Sequence, residues 1–138
     1  MTDPKPKILL AEDSKSIQSA LTTALESSFD VNLVMAETFA QAAAVLDSKG
    51  AELFLAILDL ALPDAMNGEV VDHALRLGVP SLVFTSTFDD AMRSDLLSKG
   101  VLDYVVKSGR AVEEVVRLVG RLQANRARKI LVVDDSVS

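Results

Sequence analysis

Cysteine is missing from the 138 residues, which excludes disulfides and thiolate chemistry and is compatible with a cytoplasmic protein. Long apolar runs are missing too: none approaches the roughly 20 residues that a bilayer-spanning helix needs. The opening Met1-Thr-Asp-Pro-Lys-Pro-Lys7 carries no apolar segment after its charges, so no secretory signal is expected. Positive charge is in deficit. Fourteen Lys and Arg face 20 Asp and Glu, a net charge of −6 with an isoelectric point near 4.7. Duplex binding rests on cationic contacts to phosphate, so direct contact with nucleic acid is not expected. The basic run Arg121, Arg126, Arg128 and Lys129 reads instead as a solvated helix end. Histidine occurs once, and His73 beside Asp72 reads as a surface residue. What is present is ordinary for a folded chain, 49% hydrophobic and 25% charged, at a length that suits one domain with a proper core.

The most informative stretch runs from Leu53 to Gly68. Six apolar residues end abruptly in Asp59, followed by the loop formers Pro63, Asp64, Asn67 and Gly68. An apolar run without alternation suits a central parallel strand covered on both faces. Its tip, where Asp59 stands, is where open α/β sheets bind ligands. Taken alone, Asp59 is equally well a turn or capping residue.

In chain order, residues 7–11 form a first strand running into Glu12-Asp13-Ser14, and Ser14 caps a helix with Ile17, Leu21, Thr22 and Leu25 at helical spacing. Residues 31–36 form a second strand, better suited to an edge because of Asn32. Thr38 and Gln41 make a capping-box pattern for a helix to about Lys49, stopped by Gly50. After the Asp59 strand, Asn67 opens a helix with Val70, Val71, Ala74, Leu75 and Leu77 leading to Gly78. Residues 80–85 form the fourth strand, Thr87 caps the fourth helix with Asp89 and Asp90 in its first turn, and residues 101–106 form the fifth strand. The last helix spans about 110–126 on a stripe of Val112, Val115, Val116, Val119 and Leu122. Gly50, Gly78 and Gly100 are expected to end helices in the left-handed conformation. Five strands alternating with five helices predict a parallel sheet with right-handed crossovers.

Lys129-Ile-Leu-Val-Val-Asp-Asp-Ser-Val-Ser138 matches Lys7-Ile-Leu-Leu-Ala-Glu-Asp-Ser-Lys-Ser16 at six of ten positions, with the second acidic residue and both serines in register. The two copies lie about one domain length apart. Residues 1–6 are therefore read as a flexible lead, 7–126 as the domain, and 127–138 as a linker and the first strand of a second copy.

Glu12 and Asp13, Asp59, Thr85 and Lys107 each stand at a strand end, and in a doubly wound sheet these tips share one edge. Three crowded carboxylates raise one another's pKa unless a cation lies among them. A few oxygen ligands with room for water suit magnesium better than a caged calcium, while a lysine and a hydroxyl opposite suit an anion.

Glu12-Asp13, Asp59 with Pro63 and Gly68, Thr85, and Asp103-Tyr104-Val-Val-Lys107 together resemble the receiver domain of two-component response regulators, over residues 7 to about 126. The resemblance implies a flavodoxin-like (βα)5 fold with a five-stranded parallel sheet in the order 2-1-3-4-5. It implies that Asp59 accepts a phosphoryl group from a histidine kinase or phosphotransfer protein. Asp13, Asp59 and the backbone carbonyl of Ala61 would ligate Mg2+, or Mn2+, with Glu12 acting mainly through water. Lys107 and Thr85 would contact the phosphoryl oxygens. By the same likeness Thr85 and Tyr104 form a switch, Ala61 and Thr87 influence dephosphorylation, and the surface of the fourth helix, fifth strand and fifth helix changes on phosphorylation and can support a homodimer. Such a domain is regulatory and cytoplasmic rather than an enzyme or a membrane protein. The repeat at Lys129 is similar to proteins with two receivers ahead of a cyclase that makes cyclic di-GMP.

The sequence departs from that pattern at Ser108, where receivers commonly have proline. A cis bond before a non-proline residue costs roughly 2.5–4 kcal/mol, so a trans Lys107–Ser108 peptide is expected. Ser86 is bulkier than usual, and the loop from Asp59 to Gly68 is one residue longer. Two other classes are compatible with parts of the pattern: an unphosphorylated pseudo-receiver, and a phosphatase of the haloacid dehalogenase type. The latter usually has a second aspartate two residues after the nucleophile, where this chain has Ala61.

Overall fold

A computed structural model describes residues 5–137, with side chains described through residue 126. The elements are β1 (Lys7–Ala11), α1 (Lys15–Ser28), β2 (Asn32–Ala36), α2 (Phe39–Lys49), a short 3-10 turn (Gly50–Glu52), β3 (Leu53–Leu58), α3 (Glu69–Arg76), β4 (Ser81–Thr85), α4 (Asp90–Lys99), β5 (Asp103–Val106) and α5 (Ala111–Val137). All strand pairs are parallel and the sheet order is β2-β1-β3-β4-β5. This is the flavodoxin-like order expected from the resemblance, with β2 on an edge.

Alternate residues of each strand feed two separate cores, as the two-residue period of a strand requires. Leu9, Ala11, Ala56, Leu58 and Val83 pack with Ala42, Leu46, Val70, Val71, Ala74 and Leu96 from α2, α3 and α4. On the other face Ile8, Leu10, Leu55, Ile57, Leu82 and Phe84 pack with Leu21, Leu25, Val115 and Val119 from α1 and α5. Burial on both faces is why β3 reads as one uninterrupted apolar run. The strand interiors are apolar and packed from above and below, leaving the polar residues at or just past the strand ends as the first groups free to do chemistry.

Several boundaries differ from expectation. The cap of α4 is Asp89, whose side chain accepts from Met92 N at 3.1 Å, and Thr87 lies in the preceding loop. Both residue types cap well, so the pattern alone did not separate them. The N-cap of α3 is Gly68, at φ 75°, rather than Asn67, whose N–H instead donates to Glu69 Oε1 at 2.7 Å. Gly78 and Gly100 are left-handed as expected, but Gly50 has φ −52° because the chain tightens into the 3-10 turn instead of reversing there. Leu77 is exposed.

The segment 129–137, expected as a strand, is helical and continues α5. A lone parallel strand leaves its N–H and C=O groups without a ladder partner, whereas a helix pairs them internally. Among the described residues no helix is long and apolar enough to cross a membrane.

Candidate functional site

The carboxyl ends of the strands are extended by one ladder bond each, and this is what brings the site together. Glu12 N donates to Ala36 O at 2.9 Å, Asp59 N to Ala11 O at 3.0 Å and Lys107 N to Thr85 O at 2.7 Å. Each polar residue is thus registered on its neighbouring strand before any side-chain contact forms. The buried amide of Gln18, on α1, donates to Glu12 O at 2.5 Å, fixing the turn that carries the acidic pair. Gln18 shares the buried face of α1 with Leu21 and Leu25.

Glu12, Asp13 and Asp59 converge, each offering a carboxylate oxygen within 4.8 Å of the others. Glu12 and Asp59 are buried and Asp13 is exposed. Lys107 closes the cluster, its Nζ donating to Asp59 Oδ2 at 2.8 Å and standing 2.6 Å from Glu12 Oε1. Asp59 Oδ1 accepts from Ala61 N at 3.1 Å, and Glu12 Oε2 from Ser14 N at 3.1 Å. Glu12 Oε1 is in ionic contact with Lys107 but has no hydrogen bond of acceptable geometry among the described residues.

The electrostatics follow from burial. Desolvation raises the pKa of Glu12, opposed by its contacts with Lys107 and Ser14 N–H and reinforced by the charge of Asp59. Burial acts to lower the pKa of Lys107, but its hydrogen bond to Asp59 and its ionic contact with Glu12 outweigh it and the ammonium is held above its usual value. One ammonium against three carboxylates leaves an excess of negative charge. The buried, poorly satisfied Glu12 oxygen, the all-oxygen donor set and the exposed Asp13 fit a small hard divalent cation that keeps part of its water shell.

The remaining expected residues lie beside this cluster. Thr85 is buried, and its hydroxyl oxygen accepts from Thr87 N at 3.3 Å. Tyr104 is turned inward, 6% exposed, with its hydroxyl donating to Thr87 O at 2.6 Å. Thr85, Thr87 and Tyr104 therefore form a second linked group, joined to the carboxylates by the backbone of β4 and β5. Ala61 and Thr87 border a cleft of about 220 Å³ between α3 and α4, lined also by Met66, Met92 and Lys99. The Lys107–Ser108 peptide is trans, and Ser86 is exposed.

Four residues make contacts that the sequence did not reveal. Gln18 had a signal, being a polar residue on an apolar helical face. His73 is not a bare surface residue: its Nε2 lies 2.7 Å from Asp47 Oδ1 on α2, Arg76 Nη2 lies 3.2 Å from its Nδ1, and its ring meets Phe39 edge-on at 5.8 Å. Asp64 reaches α2, where Oδ1 accepts from Phe39 N at 2.7 Å and Oδ2 from Ala40 N at 3.0 Å. Arg126, from the basic run, lies 5.6 Å above the Phe54 ring.

The family model and the solved structures agree. The family model described as the response regulator receiver domain matches residues 8–119. No curated protein matches the chain. Among solved structures, one described as a two-component system response regulator/GGDEF domain protein is 35% identical with a TM-score of 0.79, covering 88% of this chain and 49% of its own. A second of the same description is 36% identical with a TM-score of 0.77, covering 88% and 48%. The chain thus spans about half the length of these two proteins. The Mn2+-bound form of the response regulator Rcp1 is 26% identical with a TM-score of 0.69, covering 83% of this chain and 91% of its own.

Proposed function

This chain belongs to the response regulator receiver family, and from that premise we propose that it is a phosphoryl-accepting switch with Asp59 as the nucleophile. The observation that carries the reading is the meeting of Glu12, Asp13 and Asp59 with Lys107 at one sheet edge. A receiver is regulatory and works with a histidine kinase or phosphotransfer protein. In the transfer, a carboxylate oxygen of Asp59 bonds to phosphorus while the bond from phosphorus to the donor imidazole nitrogen breaks, its electron pair staying on that nitrogen. Mg2+ or Mn2+, held by Asp13, Asp59 and the Ala61 carbonyl with Glu12 acting through water, would neutralise phosphoryl charge when bound.

The chain's own residues supply positioning, which dominates phosphoryl transfer. The Ala61 N–H orients the Asp59 carboxylate. Lys107, already at Asp59, supplies a charge-assisted hydrogen bond to a phosphoryl oxygen. The Thr85 hydroxyl, on the neighbouring strand, donates to another. Drawing Thr85 toward the phosphoryl group moves the Thr87 backbone that Tyr104 holds, and the α4, β5 and α5 surface shifts its population between two arrangements. Ala61 and Thr87, bordering the adjoining cleft, tune water access and hence loss of the phosphoryl group.

The same α4, β5 and α5 face is the proposed homodimer surface. The proposed output is a second receiver, begun by the repeat at Lys129, followed by a cyclic di-GMP-forming cyclase. The sequence repeat and the two half-covered GGDEF relatives support it.

Intact mass after incubation with Mg2+ and a small phosphodonor tests the reading. Wild type is expected to gain one phosphoryl group and Asp59→Ala none. No gain in wild type, together with no Mg2+ binding by titration, would leave an unphosphorylated interaction module.

A further inference from the structure

The loop between β3 and α3 folds back on itself and is tied to a neighbouring helix. Leu62 and Ala65 exchange both backbone hydrogen bonds, N–H of Leu62 to Ala65 O at 3.1 Å and N–H of Ala65 to Leu62 O at 3.0 Å. Both side chains are buried, so Pro63 and Asp64 project as a small outer turn. Asp64 then spans to α2 and accepts from the N–H groups of its first two residues, Phe39 and Ala40, with both carboxylate oxygens. Those amides hold its carboxyl below the usual carboxylate range, so it is ionised when it caps the helix. The third orphan amide of α2, at Gln41, is taken by Thr38 Oγ1.

The link to the site is the peptide between Ala61 and Leu62. Its N–H is the one bonded to Ala65 O, and in a trans peptide the Ala61 carbonyl on the same plane faces the opposite way. Holding the outer turn therefore sets the direction of that carbonyl.

We infer that Asp64 is a positioning residue, which rivets the loop to α2 and thereby aims the Ala61 carbonyl beside Asp59. The inference rests on the roles proposed above for Asp59 and Ala61. It ties metal affinity to a contact made with the start of a different helix, 25 residues away in sequence.

The test compares wild type, Asp64→Ala, Asp64→Asn and Thr38→Ala by Mg2+ titration, thermal unfolding, and rate of mass gain from a small phosphodonor. Thr38→Ala weakens the same helix start without touching the loop. Asp64→Ala is expected to weaken Mg2+ binding about tenfold, the low end for residues that orient ligands, and to slow phosphorylation. Asp64→Asn, with one neutral acceptor oxygen, falls between, and it decides the matter if Asp64→Ala does not fold. Thr38→Ala is expected to lower the melting temperature while keeping wild-type affinity. Wild-type affinity in both Asp64 variants overturns the inference and leaves the Asp59 reading standing. Absence of Mg2+ binding and of mass gain in wild type itself overturns both.

Discussion

Lys107 stands 2.6 Å from Glu12 and, through the same nitrogen, 2.8 Å from Asp59. A single ammonium thus offsets two buried carboxylates. Removing one partner of a buried pair leaves uncompensated charge and typically costs about 3–5 kcal/mol. Lys107→Met is therefore expected to lower stability by an amount of that order without divalent cation. Mg2+ is expected to restore much of the loss and to bind more tightly than in wild type, because it no longer competes with the lysine. Urea unfolding with and without Mg2+ checks both outcomes, and equal Mg2+ affinity in the two proteins would show that the lysine does not compete.

Glu12 provides a pH signature. Its folded pKa is raised by burial, so the folded state binds this proton more tightly than the unfolded chain does. Its contribution to stability is fully present below the unfolded value of about 4.3 and is lost as pH rises through the folded value. Relative to Glu12→Gln, wild type should gain stability as pH falls through that window in the absence of metal. Denaturant unfolding of both proteins over a pH series measures the difference, and parallel pH curves would refute the assignment.

Tyr104→Phe removes the hydroxyl that donates to Thr87 O while keeping the ring. The expected loss is about 1 kcal/mol, with faster amide exchange in the loop between β4 and α4. Burial and, secondarily, the charge of Asp89 raise the phenol pKa, so the donor persists to higher pH than an ordinary tyrosine. The stability it brings is present below the unfolded pKa and lost as pH rises through the folded one. Ultraviolet titration of the single tyrosine locates that loss, and a midpoint at or below the usual value would contradict it.

Gly68→Ala places a side chain at φ 75°, with its Cβ 3.2 Å from Leu60 Cδ2. The left-handed conformation costs roughly 1–2 kcal/mol in a residue with a Cβ, and Leu60, next to Asp59, must give way. Lower stability and weaker Mg2+ binding are expected together, since Gly68 N donates to Leu60 O at 2.8 Å and closes the same loop. Unchanged unfolding in urea would count against this account.

The sheet was legible because each strand is a short apolar run ended by a polar or turn-forming residue. The placement of Glu12, Asp13, Asp59 and Lys107 at one edge followed from that rule. Starts of helices were less legible where two good caps compete, as with Thr87 and Asp89. The strand expected at residue 129 has a strand-like pattern, but pattern does not provide a neighbour to pair with. Contacts of His73 with Asp47 and of Asp64 with α2 could not be read from spacing, because they join residues from separate helices and loops. Gln18 could have been found from its place on the apolar face of α1.

Leu96 is the one buried residue of α4, whereas Phe88, Met92 and Leu97 on or just before that helix are exposed. Few buried contacts mean a low free energy of local opening, so α4 is expected to exchange its amides well before the sheet does. The most loosely anchored helix of the domain follows directly on the Thr85 and Thr87 loop. A rearrangement there displaces little buried area, so a weak input at the sheet edge, were Asp59 phosphorylated as proposed, would have a soft lever to act upon.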